Sequence, residues 1–289
     1  MTLRLGTIDG ALGAARAATV AGRLSAEVVA VSAGADAVAA LRAALVAGEV
    51  DVVVQALAEL DAGPAGAAAD VVAAAVPKRA DARDALCASG GRGLDALPAG
   101  ARVGAATPLR RAQLRARRPE LEVVTVTGDA AELLGLLEAD DSPLDAVVVA
   151  LAELELLGRT DAASEVLDLA TWPTASAQGA LVLETRAQGR AVVAKLDHKP
   201  SRLTTDAERA VAARLADVAA PVAATALLED GLLFLSARAT ASDGSRRLTA
   251  SHALYPEDSR DPAAELAERV AEELRAAGVA ELPGDEARA

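Results

Sequence analysis

What most constrains this chain is a rhythm. Short β-branched runs alternate with Ala- and Leu-rich stretches of helical spacing. "LRLGT" (3–7) reads as a strand, and 11–24 places Leu12, Val20 and Leu24 on one side of a helix. "VVAVS" (28–32) is a second strand. The helix "DAVAALRAALVAG" (36–48) carries Val38, Leu41 and Leu45 and stops on Gly48. "VDVVV" (50–54) and "DVVAAAV" (70–76) follow as strands. A β-α-β-α-β order favours a mainly parallel sheet with helices on its faces.

The pattern restarts near residue 84. "DALCAS" (84–89) alternates polar and apolar residues, which makes Cys87 a buried strand residue rather than a reactive thiol. Thr107 followed by Pro108 is a helix start, with a hydroxyl cap and a proline at the first helical position. A strand (121–126), a helix (129–139) and a strand (144–150) complete a second α/β unit, and 173–186 holds a loop and a short strand. Beyond it the rhythm changes to a helix (about 203–216), a strand pair within 230–254 and a closing helix (262–277). Asp243-Gly244 is the hairpin signal in that pair.

The fold class is therefore α/β: two α/β domains and a small C-terminal α+β domain. The expected boundaries are 1–78 with 172–190, then 79–171, then 191–289.

Composition narrows the function. A net charge of −13 opposes binding to nucleic acid or anionic membrane, and 1% aromatic residues leave little for stacking bases. One cysteine and two distant histidines, His198 and His252, disfavour a Cys- or His-based metal site. Arg4, Asp9, Arg16 and Arg23 interrupt any apolar signal region, and no uncharged run reaches membrane-spanning length. The expectation is a cytoplasmic protein. Within "DVVVQALAELD" (51–61), a buried strand runs into a turn bearing Gln55, Glu59 and Asp61, where residues past a strand often face a ligand.

These segments fall in an order that resembles the porphobilinogen deaminase (hydroxymethylbilane synthase) family. "LRLGT", "GEVDVVV", "DARDAL", "LDALPAG", "VGAATPLRRAQL", "RRPEL", "LDAVVVALAELELLG", "QGALVLETR", "TDAERAVAARL" and "DGLLFLSARATASDG" carry the resemblance over nearly the whole length. It implies two domains of periplasmic-binding-protein type flanking a cleft and a third, smaller domain. It implies head-to-tail joining of porphobilinogen with release of ammonia, on a dipyrromethane cofactor held by a cysteine thioether. Substrate acetates and propionates call for arginine and lysine partners.

The departures from the family pattern are specific. The family's His-Ser-Met-Lys-Asp segment, which carries the catalytic aspartate, is here Gln55, Ala56, Leu57, Ala58 and Glu59. Glu59 is the degenerate catalytic candidate, one methylene longer than the family residue. The cofactor loop reads "RLADVAAPVAA" (214–224), with Ala219 or Ala220 at the cysteine position, so the dipyrromethane cofactor is not expected. Gly-Thr-Arg-x-Ser becomes Gly6, Thr7, Ile8, Asp9 and Gly10. The paired family arginines fall on Leu109 and Arg110 without a gap, or on Arg110 and Arg111 with a one-residue insertion. Arg-Gly-Asn becomes Thr127, Gly128 and Asp129, and the next arginine becomes Leu133. The family's Gly- and Lys-containing lid is absent between the second strand and "GEVD".

The substrate- or anion-binding candidates are Thr107, Arg110 and Arg111, at a helix N-terminus whose N–H groups favour an anion. Arg115, Arg117 and Arg118 are expected to form an exposed basic face on that helix. Gln178-Gly179 serves the interdomain crossing, and His198 beside Asp197 is a structural hydrogen-bonding residue. The resulting expectation is a porphobilinogen deaminase-like protein of tetrapyrrole biosynthesis, impaired in catalysis. Its partner is a small anion or another protein of the pathway. Two alternatives stay open: an active synthase with a non-covalent primer, or a scaffold with an empty cleft.

Overall fold

The computed structural model describes residues 2–32, 34, 36–60 and 70–284. In chain order the first elements are β1 (Leu3–Ile8), α1 (Ala11–Leu24), β2 (Ala26–Val31), α2 (Ala37–Ala47), β3 (Val52–Ala56) and β4 (Val71–Ala75). Next come β5 (Asp84–Ala88), β6 (Arg102–Ala105), α3 (Pro108–Arg117), β7 (Glu122–Thr125), α4 (Ala130–Glu138), β8 (Ala146–Ala150), α5 (Leu151–Leu157) and β9 (Glu165–Val166). The chain continues through β10 (Leu181–Arg186), α6 (Arg190–Val193) and α7 (Lys199–Arg214). It closes with β11 (Val222–Glu229), β12 (Leu232–Thr240), β13 (Arg247–Leu254) and α8 (Pro262–Ala276).

These elements form two compact units, Met1–Ala80 with Gln178–Leu203, and Asp81–Ala177 with Thr204–Ala289. The fold class is the mixed α/β one that the sequence pattern implies, with two five-stranded sheets and a three-stranded antiparallel sheet.

The first unit's sheet has the order β2-β1-β3-β10-β4. Strands β2, β1 and β3 run parallel, as βαβ crossovers require, while β10 is antiparallel to both β3 and β4. The β3 strand is buried on both faces. Val52 and Val54 pack with Leu5, Val20 and Leu183, and Val53 packs on the other side with Leu41, Leu45 and Val71. Gly13 is required by closeness, because a Cβ there would meet the Ile8 carbonyl oxygen at 1.8 Å. That approach lets the Thr7 hydroxyl donate to the Gly13 carbonyl at 2.8 Å and ties α1 to the end of β1.

The second unit repeats the plan. Its five-stranded sheet has the order β7-β6-β8-β5-β9, with β5 antiparallel inside it. Along β8, Ala146 and Val148 face one core, with Leu86, Leu114 and Trp172. Val147 and Val149 face the other, with Leu133, Leu134 and Leu154. Thr107 does cap α3, its hydroxyl accepting from the Arg110 N–H at 3.3 Å, with Pro108 in the first turn.

The last sheet, β11-β12-β13, is antiparallel throughout, and the Asp243-Gly244 signal lies in the β12–β13 connection. Gly244 has φ +80°, and a Cβ there would come within 2.4 Å of the Ala116 nitrogen on α3. The sequence pattern expects one strand pair here. The structure adds β11, whose alanines weaken the alternation that marks a strand. No helix among the described residues is long and apolar enough to cross a membrane.

Candidate functional site

In the first unit, β3 ends at Ala56 and a single 3-10 turn (Leu57–Glu59) follows. Leu57 and Leu60 are buried and anchor that turn, leaving Ala58 and Glu59 exposed. Glu59 is 40% exposed, and Arg16 from α1, 9% exposed, donates to its carboxylate at 2.7 Å. Asp61 lies outside the described residues. Gln55 is not at the surface: it is 2% exposed, with its side chain in a buried polar cluster.

That cluster centres on Glu184 of β10, which is fully buried. Arg42 of α2 grips it through two hydrogen bonds of 3.1 and 2.8 Å, and the Gln55 amide donates to it at 2.6 Å. The register explains the meeting. Val182 pairs with Gln55 and Glu184 with Val53, so Gln55 and Glu184 are diagonal neighbours on one sheet face. The Gln55 carbonyl oxygen is buried without a partner among the described residues.

Thr107, Arg110 and Arg111 sit together at the start of α3 in the second unit. The Thr107 hydroxyl serves the helix cap. Arg110 donates to Asp84 of β5, with Nη2 to Oδ1 at 2.7 Å and Nε to both oxygens at 3.2 Å. The Trp172 indole N–H donates to the same carboxylate at 3.0 Å. Burial pulls the Arg110 pKa down, but the charge and hydrogen bonds of Asp84 outweigh it and hold the guanidinium above its ordinary value. Arg111 is 5% exposed and donates to the Ala106 carbonyl at 3.3 Å. The anion that Arg110 binds in this structure is the protein's own carboxylate.

Of the expected basic face on α3, Arg117 is exposed and Arg115 and Arg118 are half-buried, and all three have partners. Arg115 donates to the Ser242 carbonyl at 2.8 Å, and Arg117 pairs with Asp95 at 2.7 Å. Arg118 pairs with Glu120 at 2.6 Å and donates to the Leu94 and Leu97 carbonyls. Their long guanidinium side chains reach across to carbonyls and carboxylates of neighbouring segments.

The remaining departures have structural roles. Asp129 caps α4 in a reciprocal box with Glu132, and Leu133 is a core residue at 2% exposure. Leu109 is buried and Ile8 half-buried. The Gln178 and Gly179 carbonyls accept from Arg79 Nε at 2.8 Å and the Ala80 N–H at 3.0 Å. His198 Nδ1 contacts the Ser201 hydroxyl at 2.8 Å, and Asp197 accepts from the Val76 N–H at 2.8 Å. Neither Arg42 nor Asp84 and Glu184 stands out in the sequence. Their only signal is a charged residue at a position that a strand or helix pattern marks as inward.

Residues 3–194 match the family model described as "Porphobilinogen deaminase, dipyromethane cofactor binding domain". The chain is 48% identical over 256 residues to the porphobilinogen deaminase of Leifsonia xyli subsp. xyli, covering 84% of this chain and 76% of that one. It is 40% identical over 252 residues to the porphobilinogen deaminase of Corynebacterium efficiens, covering 85% and 81%. A solved nutrient binding protein from Burkholderia cenocepacia bound to methionine matches 65% of this chain and 86% of its own, at 17% identity and a TM-score of 0.43. The chain belongs to the porphobilinogen deaminase family.

This corrects the expectation that the dipyrromethane cofactor has no place here. The matched domain is described by that cofactor, and it covers residues 3–194. The expectation rested on the loop at 214–224, which lies outside those residues. Holding a polycarboxylate and anchoring it through sulfur are separate tasks: the first needs arginines, the second a thiolate. Cys87, the single cysteine, is 1% exposed in β5, and burial pushes its thiol up to about 11.

Proposed function

We propose that this chain is a porphobilinogen deaminase-like protein of tetrapyrrole biosynthesis whose catalytic step is impaired. The observation that carries the reading is the turn after β3. Glu59 stands at the position of the family's aspartate, its carboxylate is engaged by Arg16, and Ala58 replaces the neighbouring lysine. A misplacement of about 1 Å in a catalytic group costs on the order of a hundredfold in rate. Leu133, at the position of a family arginine, is buried and offers no charge to a substrate carboxylate. The retained role is to bind a small anion or to support another protein of the same pathway.

A second reading is an active hydroxymethylbilane synthase, and the 48% identity to the Leifsonia protein favours it. Ammonia release from porphobilinogen separates the two. The proposal expects none above the uncatalysed rate, in wild type and in Glu59→Ala alike. Turnover in wild type that disappears in Glu59→Ala overturns it.

A further inference from the structure

The second unit holds an open pocket of about 420 Å³, lined by the last turns of α3, the segment around Trp172, and β12 with β13. Strand register builds its charged wall. Arg238 pairs with Thr249 and Thr240 with Arg247, so alternation puts all four on one sheet face. The Arg238 Nε donates to the Thr249 hydroxyl at 3.1 Å, and its two Nη atoms donate to the Thr171 and Ala170 carbonyls at 3.2 and 3.1 Å. The guanidinium is therefore fixed in place by neutral acceptors.

Among the described residues, no carboxylate is paired with Arg238 or Arg247, in a chain of net charge −13. Burial, and then the like charge of Arg247, push the Arg238 pKa below its ordinary value. The carbonyl end of α3 opposes an anion here, but Arg115 and Arg117 occupy its last turn and offset that field. Two buried polar atoms of the lining also have no partner among the described residues: the Thr240 hydroxyl, fully buried, and the Gln113 carbonyl oxygen, 6% exposed. Such atoms are costly unless a partner reaches them.

We propose that this pocket is a binding site for a small oxyanion, a phosphate or carboxylate held by Arg238 and Arg247, with a donor group that reaches the Gln113 carbonyl. Paired guanidiniums with flanking hydroxyls match the geometry of such oxygens.

Trp172 lines the pocket and is the chain's single tryptophan, so its fluorescence reports on occupancy. The full chain is titrated with sodium phosphate and, separately, with sodium citrate, at ionic strength held constant with sodium chloride. Calorimetry follows the same titrations. Saturable binding of at least one anion is expected, and which one saturates distinguishes a phosphate site from a polycarboxylate site. Arg247→Gln, at an exposed position, is expected to weaken that binding by about tenfold or more. Arg269→Gln, on α8, is expected to leave it unchanged. No saturable binding of either anion overturns the proposal, and so does undiminished binding in Arg247→Gln.

Discussion

The two five-stranded sheets are built alike, and each places one buried carboxylate on its inner antiparallel strand. In the first unit this is Glu184, held by Arg42 and Gln55; in the second it is Asp84, held by Arg110 and Trp172. The third partner is what differs. Trp172 brings a single N–H donor and a large apolar ring, so nothing polar is left over. Gln55 donates its amide but leaves a buried carbonyl without a partner. In both clusters a buried carboxylate takes its charge partner from a neighbouring helix. Glu59 and the Arg238–Arg247 wall differ from these two clusters in being open to solvent.

Breaking either buried pair is the largest test. Arg110→Ala removes the guanidinium from Asp84 at 2% exposure, and Arg42→Ala removes it from Glu184 at 0%. Each is expected to lower unfolding stability by about 3–5 kcal/mol in urea titrations. A loss under about 1 kcal/mol in only one of them would show that the two sites are not equivalents.

Gln55→Leu sharpens the difference in the third partner. It removes a hydrogen bond to a charged acceptor, about 1.5–3 kcal/mol, but also removes the unpartnered carbonyl. The expected net loss is about 1–2 kcal/mol, below that of Arg42→Ala. A Gln55→Leu variant as unstable as Arg42→Ala would mean that the amide, not the guanidinium, holds Glu184.

Cys87 probes the core of the second sheet. With its thiol near 11 and 1% exposed, it is expected to stay unreactive toward an aromatic disulfide reagent at pH 8 until the protein unfolds. Fast labelling of the native chain would contradict the packing of β5.

The smallest effect concerns Asp197. Burial raises its pKa, but the Arg202 hydrogen bond and the Val76 N–H outweigh it and hold it below the ordinary 3.8. A depressed carboxylate stabilises the fold above its unfolded value and loses that contribution as pH falls through the lower folded value. Asp197→Asn is expected to cost about 1 kcal/mol at pH 7, read by urea titration, and to flatten the stability profile below pH 4.

Much of this architecture was legible in the sequence. Strand and helix periods located most elements, Thr107-Pro108 marked the start of α3, and Asp243-Gly244 marked the last hairpin. Helix α5 was not legible, because "VVVA" runs into "LAELELL" without a Gly, Pro or capping residue between them. The direction of the inner antiparallel strands was not either, since periodicity carries no strand direction. The candidate site was legible only as positions. Glu59 and Arg110 were marked, but Arg16 lies 43 residues from Glu59 and Asp84 lies 26 from Arg110. Such pairs are set by tertiary packing. The Arg238–Arg247 pocket depends on strand register and on the approach of α3, which a linear pattern does not contain.

The central claim, that family membership is kept while the catalytic turn is weakened, meets its most direct test in one measurement. Bilane formation from porphobilinogen is followed side by side for this chain and for the Leifsonia xyli relative, at equal protein concentration. The account expects bilane from the relative and none above the uncatalysed rate from this chain. Equal rates, with this chain's activity abolished in Glu59→Ala, would contradict it.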